Sequence, residues 1–260
     1  MKKASLPILT LIGLLLLNGV AFATPSTTYW TPATTDIQPF GILHIGVDNY
    51  FTVFKKAKNG GSSFATDVGL TIGVLPFEKL QMEVGVDLNE PTDHPISFNA
   101  KLGTPEDSLF KWSPALNVGI FNVGTKKDVT NQNIVFGLVG KTIPVLGRLF
   151  AGTYIGNGRT LVDKHGDREN KGFMIGFDRG FFPAKDKEGN EYKKLVLAAD
   201  YASGQNSIGG GGVGLYYYFT KDISLLTGPV WFNEKEINGK WKWTLQLDIN
   251  LPSVTHWLRK

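Results

Sequence analysis

Residues 241–251 read Trp-Lys-Trp-Thr-Leu-Gln-Leu-Asp-Ile-Asn-Leu. Trp241, Trp243, Leu245, Leu247, Ile249 and Leu251 fall on one side of an extended chain, and Lys242, Thr244, Gln246, Asp248 and Asn250 on the other. Successive strand side chains point to opposite faces, so this segment separates an apolar medium from a polar one. Its length is generous for a soluble strand and suits one tilted across a bilayer.

The same alternation recurs upstream. Leu80, Met82, Val84, Val86 and Leu88 oppose Gln81, Glu83, Gly85 and Asp87. Phe64, Val68, Leu70, Ile72 and Val74 oppose Ala65, Asp67, Gly69, Thr71 and Gly73, while Leu43, Ile45, Val47, Phe51 and Val53 oppose His44, Gly46, Asp48, Tyr50 and Thr52. In all, twelve strands are expected, near 40–54, 64–75, 79–88, 96–103, 114–124, 132–141, 147–157, 171–179, 193–202, 207–219, 222–232 and 241–251. The seventh and eleventh are the least regular. Turn signals at Asn59-Gly60-Gly61-Ser62, Asn157-Gly158, Glu188-Gly189-Asn190 and Asn238-Gly239 separate the runs. Strands joined by such short links are antiparallel neighbours, because parallel ones need a long crossover. The expectation is a single all-β domain over 40–251. The Thr/Pro-rich segment 24–39 before it reads as extended with little packing, and residues 180–192 form a link too long for a tight turn.

Residues 1–23 have the form of a secretory signal peptide: Lys2 and Lys3, an apolar core from Leu6 to Leu17, and Ala21-Phe22-Ala23 as the small-x-small cleavage site. The chain has no cysteine, which excludes disulfide staples, c-type haem attachment, iron–sulfur clusters and thiolate zinc sites. The net charge of +4 includes Lys2 and Lys3, so the rest is near +2, too weak a bias to indicate nucleic-acid binding. After the leader no run of 18 apolar residues occurs, as a membrane helix would need, whereas a closed sheet crosses lipid without one.

Alternation alone leaves open which face is inside. A soluble barrel turns its apolar face inward and a membrane barrel turns it outward. Two features favour the membrane barrel. Aromatic residues gather near strand ends (Phe40, Phe54, Phe64, Phe77, Trp112, Phe181, Phe182, Phe219, Trp231 and Trp241), where the two interfaces would lie. The polar faces carry Gly, Asn, Ser and Thr rather than the Lys and Glu of a solvated surface.

With leader, even strand number, glycine-aromatic composition and strand-ending aromatics, the chain resembles the porin-like class of Gram-negative outer-membrane β-barrel proteins. One departure is that such proteins end on an aromatic residue of the last strand. Here Pro252 to Lys260 follow that strand as a tail, with Trp257 as the available substitute. The resemblance implies residence in the outer membrane, contact with its lipid, and a periplasmic N-terminus. The links near 55–63, 89–95, 125–131, 158–170, 203–206 and 233–240 would then face outward. Segment 158–170, with Asp163, His165 and Asp167, is the longest and the best placed to fold over the mouth. Those donors alternate as a hard-cation site would require, but their spacing does not match a calcium loop and Lys164 and Arg168 offset the charge, so no metal is expected.

The lumen face would carry Asp48, Asp67, Glu83, Asp87, Lys101, Arg148, Asp178, Asp200, Lys242 and Asp248. Charges in a closed interior need water or partners. Opposed acids and bases could set a field selecting solutes in a narrow pore, with Asp48, Glu83, Asp87, Lys101, Arg148 and Asp248 at the constriction; alternatively they plug a closed lumen. Gly46, Gly69, Gly73, Gly85, Gly212 and Gly214 on the inner face leave room, which favours a pore. A narrow channel for small polar solutes or ions is therefore expected, the alternatives being a closed barrel scaffolding an envelope partner or a lipid hydrolase. For the hydrolase only His94 and Ser97 lie close in sequence, and no Gly-x-Ser-x-Gly occurs, so neither catalysis nor a cofactor is expected.

Overall fold

The alternating segments close into a barrel. The computed structural model describes residues 28–251, so the leader at 1–23 and the tail at 252–260 with Trp257 lie outside the described residues. The strands are β1 (Leu43–Phe51), β2 (Thr66–Gly73), β3 (Gln81–Glu90), β4 (Ile96–Thr104), β5 (Ala115–Gly124) and β6 (Asn131–Ile143). They continue as β7 (Gly147–Ile155), β8 (Lys171–Lys185), β9 (Glu191–Ala202), β10 (Gly210–Thr220), β11 (Ile223–Phe232) and β12 (Lys242–Leu251). Each pairs antiparallel with its sequence neighbours, and β1 pairs with β12 to complete the ring. At that seam Val47 faces Leu247 and Asp48 faces Gln246. Closure leaves no sheet edge unpaired, which a structure in lipid requires.

Apolar side chains point outward and polar ones inward on β12 and β1–β4. Lys242, Thr244, Gln246 and Asp248 are buried inside, while Leu245 and Leu251 are exposed outside. On β6–β11 the inner face is apolar as well: Ile134, Phe136, Leu138, Phe150, Met174, Val196, Leu226 and Val230 are all buried. This half of the interior therefore needs a packing partner.

Residues 28–39 supply it. They thread the lumen, and Tyr29, Ala33 and Thr34 are each 0% exposed. The expectation of little packing fails here, because the small Thr and Ala side chains fit against glycines of the wall. A Cβ on Gly212 would lie 2.6 Å from Tyr29 Cβ, and one on Gly140 would lie 2.5 Å from Thr35 Oγ1. Gly212 and Gly214 thus make room for Tyr29 rather than for solvent.

Two further expectations are corrected. Residues 180–192 are not a loose link, because β8 and β9 continue as a hairpin to Lys185 and Glu191, joined by only 186–190. Phe64 is not on the outer face. It precedes β2 and packs inward against Trp30 and Phe232, with ring centroids 5.6 and 5.5 Å away. The other rim aromatics Phe40, Phe54, Phe77, Trp112, Phe182, Phe219, Trp231 and Trp241 are exposed.

With Tyr29 seated on Gly212, Gly212→Val overpacks the site. It should destabilise the barrel by about 1–3 kcal/mol, the usual range for overpacking. Urea unfolding followed by tryptophan fluorescence measures this, and an unchanged midpoint would place Tyr29 elsewhere.

Candidate functional site

The threaded segment divides the lumen. It occupies the side formed by β6–β11 and leaves a cavity of about 500 Å³ along β1–β5 and β12. This vestibule reaches the loop end of the barrel at Thr92, His94 and Thr130, and its far end is formed by His44, Glu83 and Lys101.

Strand register places its carboxylates in a row. Asp48 on β1 is directly opposite Asp67 on β2, and Asp87 on β3 is opposite Gly69, two residues along from Asp67. On the other flank Asp248 is opposite Gly46, two residues from Asp48. Adjacent like charges on paired strands oppose folding. Asp87 accepts a hydrogen bond from Asn99 Nδ2 at 2.8 Å. Asp67 Oδ1 has no hydrogen-bond partner among the described residues.

A polar network closes the far end. Lys101 Nζ is 3.3 Å from Glu83 Oε1, with their side chains 3% and 1% exposed. Glu83 Oε2 accepts the backbone N–H of Gln38 at 2.6 Å, and Gln38 Nε2 donates to Asn250 Oδ1 at 3.0 Å. His44 Nε2 is 3.4 Å from Asp248 Oδ1, and Ser224 Oγ donates to the other oxygen of Asp248.

Arg148 lies under the threaded segment, between two acids. Its Nη1 and Nη2 contact both oxygens of Asp36 at 2.6 and 2.8 Å, and Nη2 is 2.5 Å from Asp178 Oδ2. Nearer the mouth, Asp200 Oδ2 accepts three consecutive backbone N–H groups, from Tyr29, Trp30 and Thr31, at 2.9, 2.8 and 2.7 Å. Sequence reading assigns Asp48, Glu83, Asp87, Lys101, Arg148 and Asp248 to a constriction; five of them line the vestibule, while Arg148 lies under the threaded segment, against Asp36. It missed Asp36, Gln38 and Asn250, whose partners lie 112, 45 and 212 residues away.

At the loop end, segment 203–209 crosses the mouth. Ser207 accepts from Gln132 Nε2 at 3.0 Å and its carbonyl from Asn238 Nδ2 at 2.9 Å, so the loop spans from β6 to the β11–β12 link. Asn206, wholly buried, donates to the Tyr154 hydroxyl and the Glu169 carbonyl. Segment 156–170 instead tucks in Leu161 and Asn170 and leaves 164–168 exposed. Asp163 accepts the N–H groups of His165 and Asp167 at 2.8 and 3.0 Å, which shapes this tip. On the neighbouring loop, a hydrogen bond from the Arg159 guanidinium holds the Asp128 carboxyl below its usual range. His94 and Ser97 both line the lumen, not the lipid-facing wall.

No protein-family model and no curated protein matches the chain. Solved structures do resemble it. An outer-membrane channel from Pseudomonas putida F1 is 9% identical with a TM-score of 0.44, over 82% of this chain and 96% of that one. The NanC porin is 8% identical with a TM-score of 0.49, over 80% and 98%. The OmpF of Salmonella typhi is 8% identical with a TM-score of 0.36, over 81% and 96%.

The Glu83–Lys101 pair yields a direct test. Glu83→Gln alone leaves a buried ammonium uncompensated and should lower stability by about 3–5 kcal/mol. The double change Glu83→Gln with Lys101→Gln should recover most of that loss, as a double-mutant cycle in urea would reveal.

Proposed function

We propose that this chain is an outer-membrane barrel conducting small polar solutes, cations above all, through a narrow lumen. The observation that carries this reading is an apolar outer wall enclosing an acidic vestibule. Soluble monomers rarely expose contiguous apolar patches beyond a few hundred Å². Here Leu70, Leu88, Phe98, Val118, Val135, Leu149, Ile175, Leu215 and Leu245 are exposed on β2–β8, β10 and β12. Phe40, Phe77, Trp112, Phe182 and Phe219 ring one end and Trp231 and Trp241 the other, in the manner of interfacial belts. Strands of 8–15 residues, tilted, match the hydrocarbon thickness.

Cation preference follows from the inner wall. Asp48, Asp67, Asp87 and Asp248 face the cavity, whereas Lys101 and His44 are each held against a carboxylate. Rings of carboxylates favour cations in a confined path. The vestibule ends at the Glu83–Lys101 network, so openings require that end to give way, and a low open probability is expected. A closed barrel scaffolding an envelope partner is the second reading, favoured by the filled half of the lumen; it predicts no conductance.

The test is single-channel recording of membrane-extracted protein in a planar bilayer under a KCl gradient. Discrete openings with a cation-selective reversal potential are expected. The triple change Asp48→Asn, Asp67→Asn, Asp87→Asn should move that potential toward zero and reduce cation preference severalfold. Silence from protein shown to be folded and inserted overturns the channel reading in favour of the scaffold.

A further inference from the structure

The threaded segment is held in an unusual way for a permanent core. Among residues 28–39 there is no strand, and the first ladder contact is the bridge from Phe40 to Gly73. Its backbone is secured by side chains of the wall: Asp200 accepts the N–H groups of Tyr29, Trp30 and Thr31, Asn117 donates to the Thr34 carbonyl at 3.1 Å, and Glu83 accepts the N–H of Gln38. Its one carboxylate, Asp36, is clamped by both terminal nitrogens of Arg148. Buried ion pairs are seldom more stabilising than apolar side chains of the same volume, so stability alone does not call for this choice.

The wall groups that grip the segment also have partners of their own. Arg148 keeps Asp178 at 2.5 Å, Glu83 keeps Lys101 at 3.3 Å, and Asp200 Oδ1 keeps the Gly212 N–H at 3.0 Å. Withdrawal of residues 28–39 would therefore leave these three wall contacts intact and wet a lining already equipped with charge. It would also remove Gln38 from the closed end of the vestibule and join the two halves of the lumen. Gly41, at φ +72°, lies between the segment and β1 and supplies a pivot. Trp30, packed edge-on against Tyr50 and Phe232 at 5.3 and 4.9 Å, gives the seated state a defined position.

We infer that residues 28–39 are a displaceable plug whose departure opens the conduit, with the Asp36–Arg148–Asp178 cluster as its latch. This rests on the channel reading above.

Because the chain has no cysteine, a single engineered disulfide reports without interference. The double change Thr35→Cys with Gly140→Cys places two thiols across a contact where an added Cβ already approaches the Thr35 hydroxyl at 2.5 Å. Oxidised protein should lose its openings and dithiothreitol should restore them. Independently of any cross-link, Arg148→Gln should raise open probability at least roughly tenfold, since both charge-assisted hydrogen bonds to Asp36 are lost from the seated state. A maleimide should label Thr34→Cys, a wholly buried position, faster in the Arg148→Gln background by a similar factor. Openings that are identical in the oxidised and reduced states overturn the plug and leave the channel standing. Silence of both redox states and of Arg148→Gln, in folded protein, overturns both, and equal labelling of Thr34→Cys in the two backgrounds overturns the latch.

Discussion

An extended segment that runs through a barrel without joining its sheet must still satisfy its backbone hydrogen-bonding groups. Residues 28–39 meet that constraint through side chains of the wall, and most of the interior is arranged around it. Asp200 serves three successive N–H groups at once, and Gln246 Nε2 and the Tyr50 hydroxyl both donate to the carbonyl of Tyr29. Glycines at 140, 176, 212 and 214 set the wall back where the segment passes. Twelve strands enclose more space than their own side chains fill, so an inner segment and a vestibule divide it between them.

The division also accounts for which strands could be recognised from sequence. On β12, β1, β2 and β3 the inner face borders the vestibule and is polar, so apolar and polar residues alternate cleanly. On β6–β11 the inner face packs against residues 28–39 and loop 203–209, so Phe136, Phe150, Met174 and Leu226 point inward opposite Val135, Leu149, Ile175 and Leu225 outside. A strand with two apolar faces loses its period of two, which is why the seventh and eleventh looked irregular. Facing alone was enough to place Asp48, Glu83, Asp87 and Asp248 inside, whereas Arg148 stands on the irregular seventh strand, where facing gives no such guide. The threaded segment was not legible, because Thr, Pro and Ala in sequence look the same in a loop and in a lumen. Its partners are set by tertiary closure, as with Asp36 and Arg148, 112 residues apart. The link at 203–206 reads as outward-facing, but its hold on the mouth is not legible for a related reason: it comes from Asn206 and Ser207, ordinary turn residues whose partners lie on β6, β7 and the β11–β12 link.

The carboxylate row and the Glu83–Lys101 pair show two treatments of charge in one cavity. Where β3 and β4 meet at Glu83 and Lys101, opposite charges face each other across the register and are almost wholly buried. Where β1 and β2 meet at Asp48 and Asp67, like charges face each other beside open space. The first arrangement strengthens a closed floor. The second opposes pairing locally, and the open space beside it admits water or a counter-cation that offsets the repulsion.

Residues 28–39 also bear on how the sheet finds its own ends. In an unrolled sheet β1 and β12 are the two outer edges, as far apart as the fold allows. The threaded segment is covalently continuous with β1, grips β7 and β9 through Arg148 and Asp200, and reaches β12 through Gln246 and Asn250. It is thus an internal template. Docked on the middle strands before the ring closes, it would hold one edge near the other and shorten the loop that closure must span.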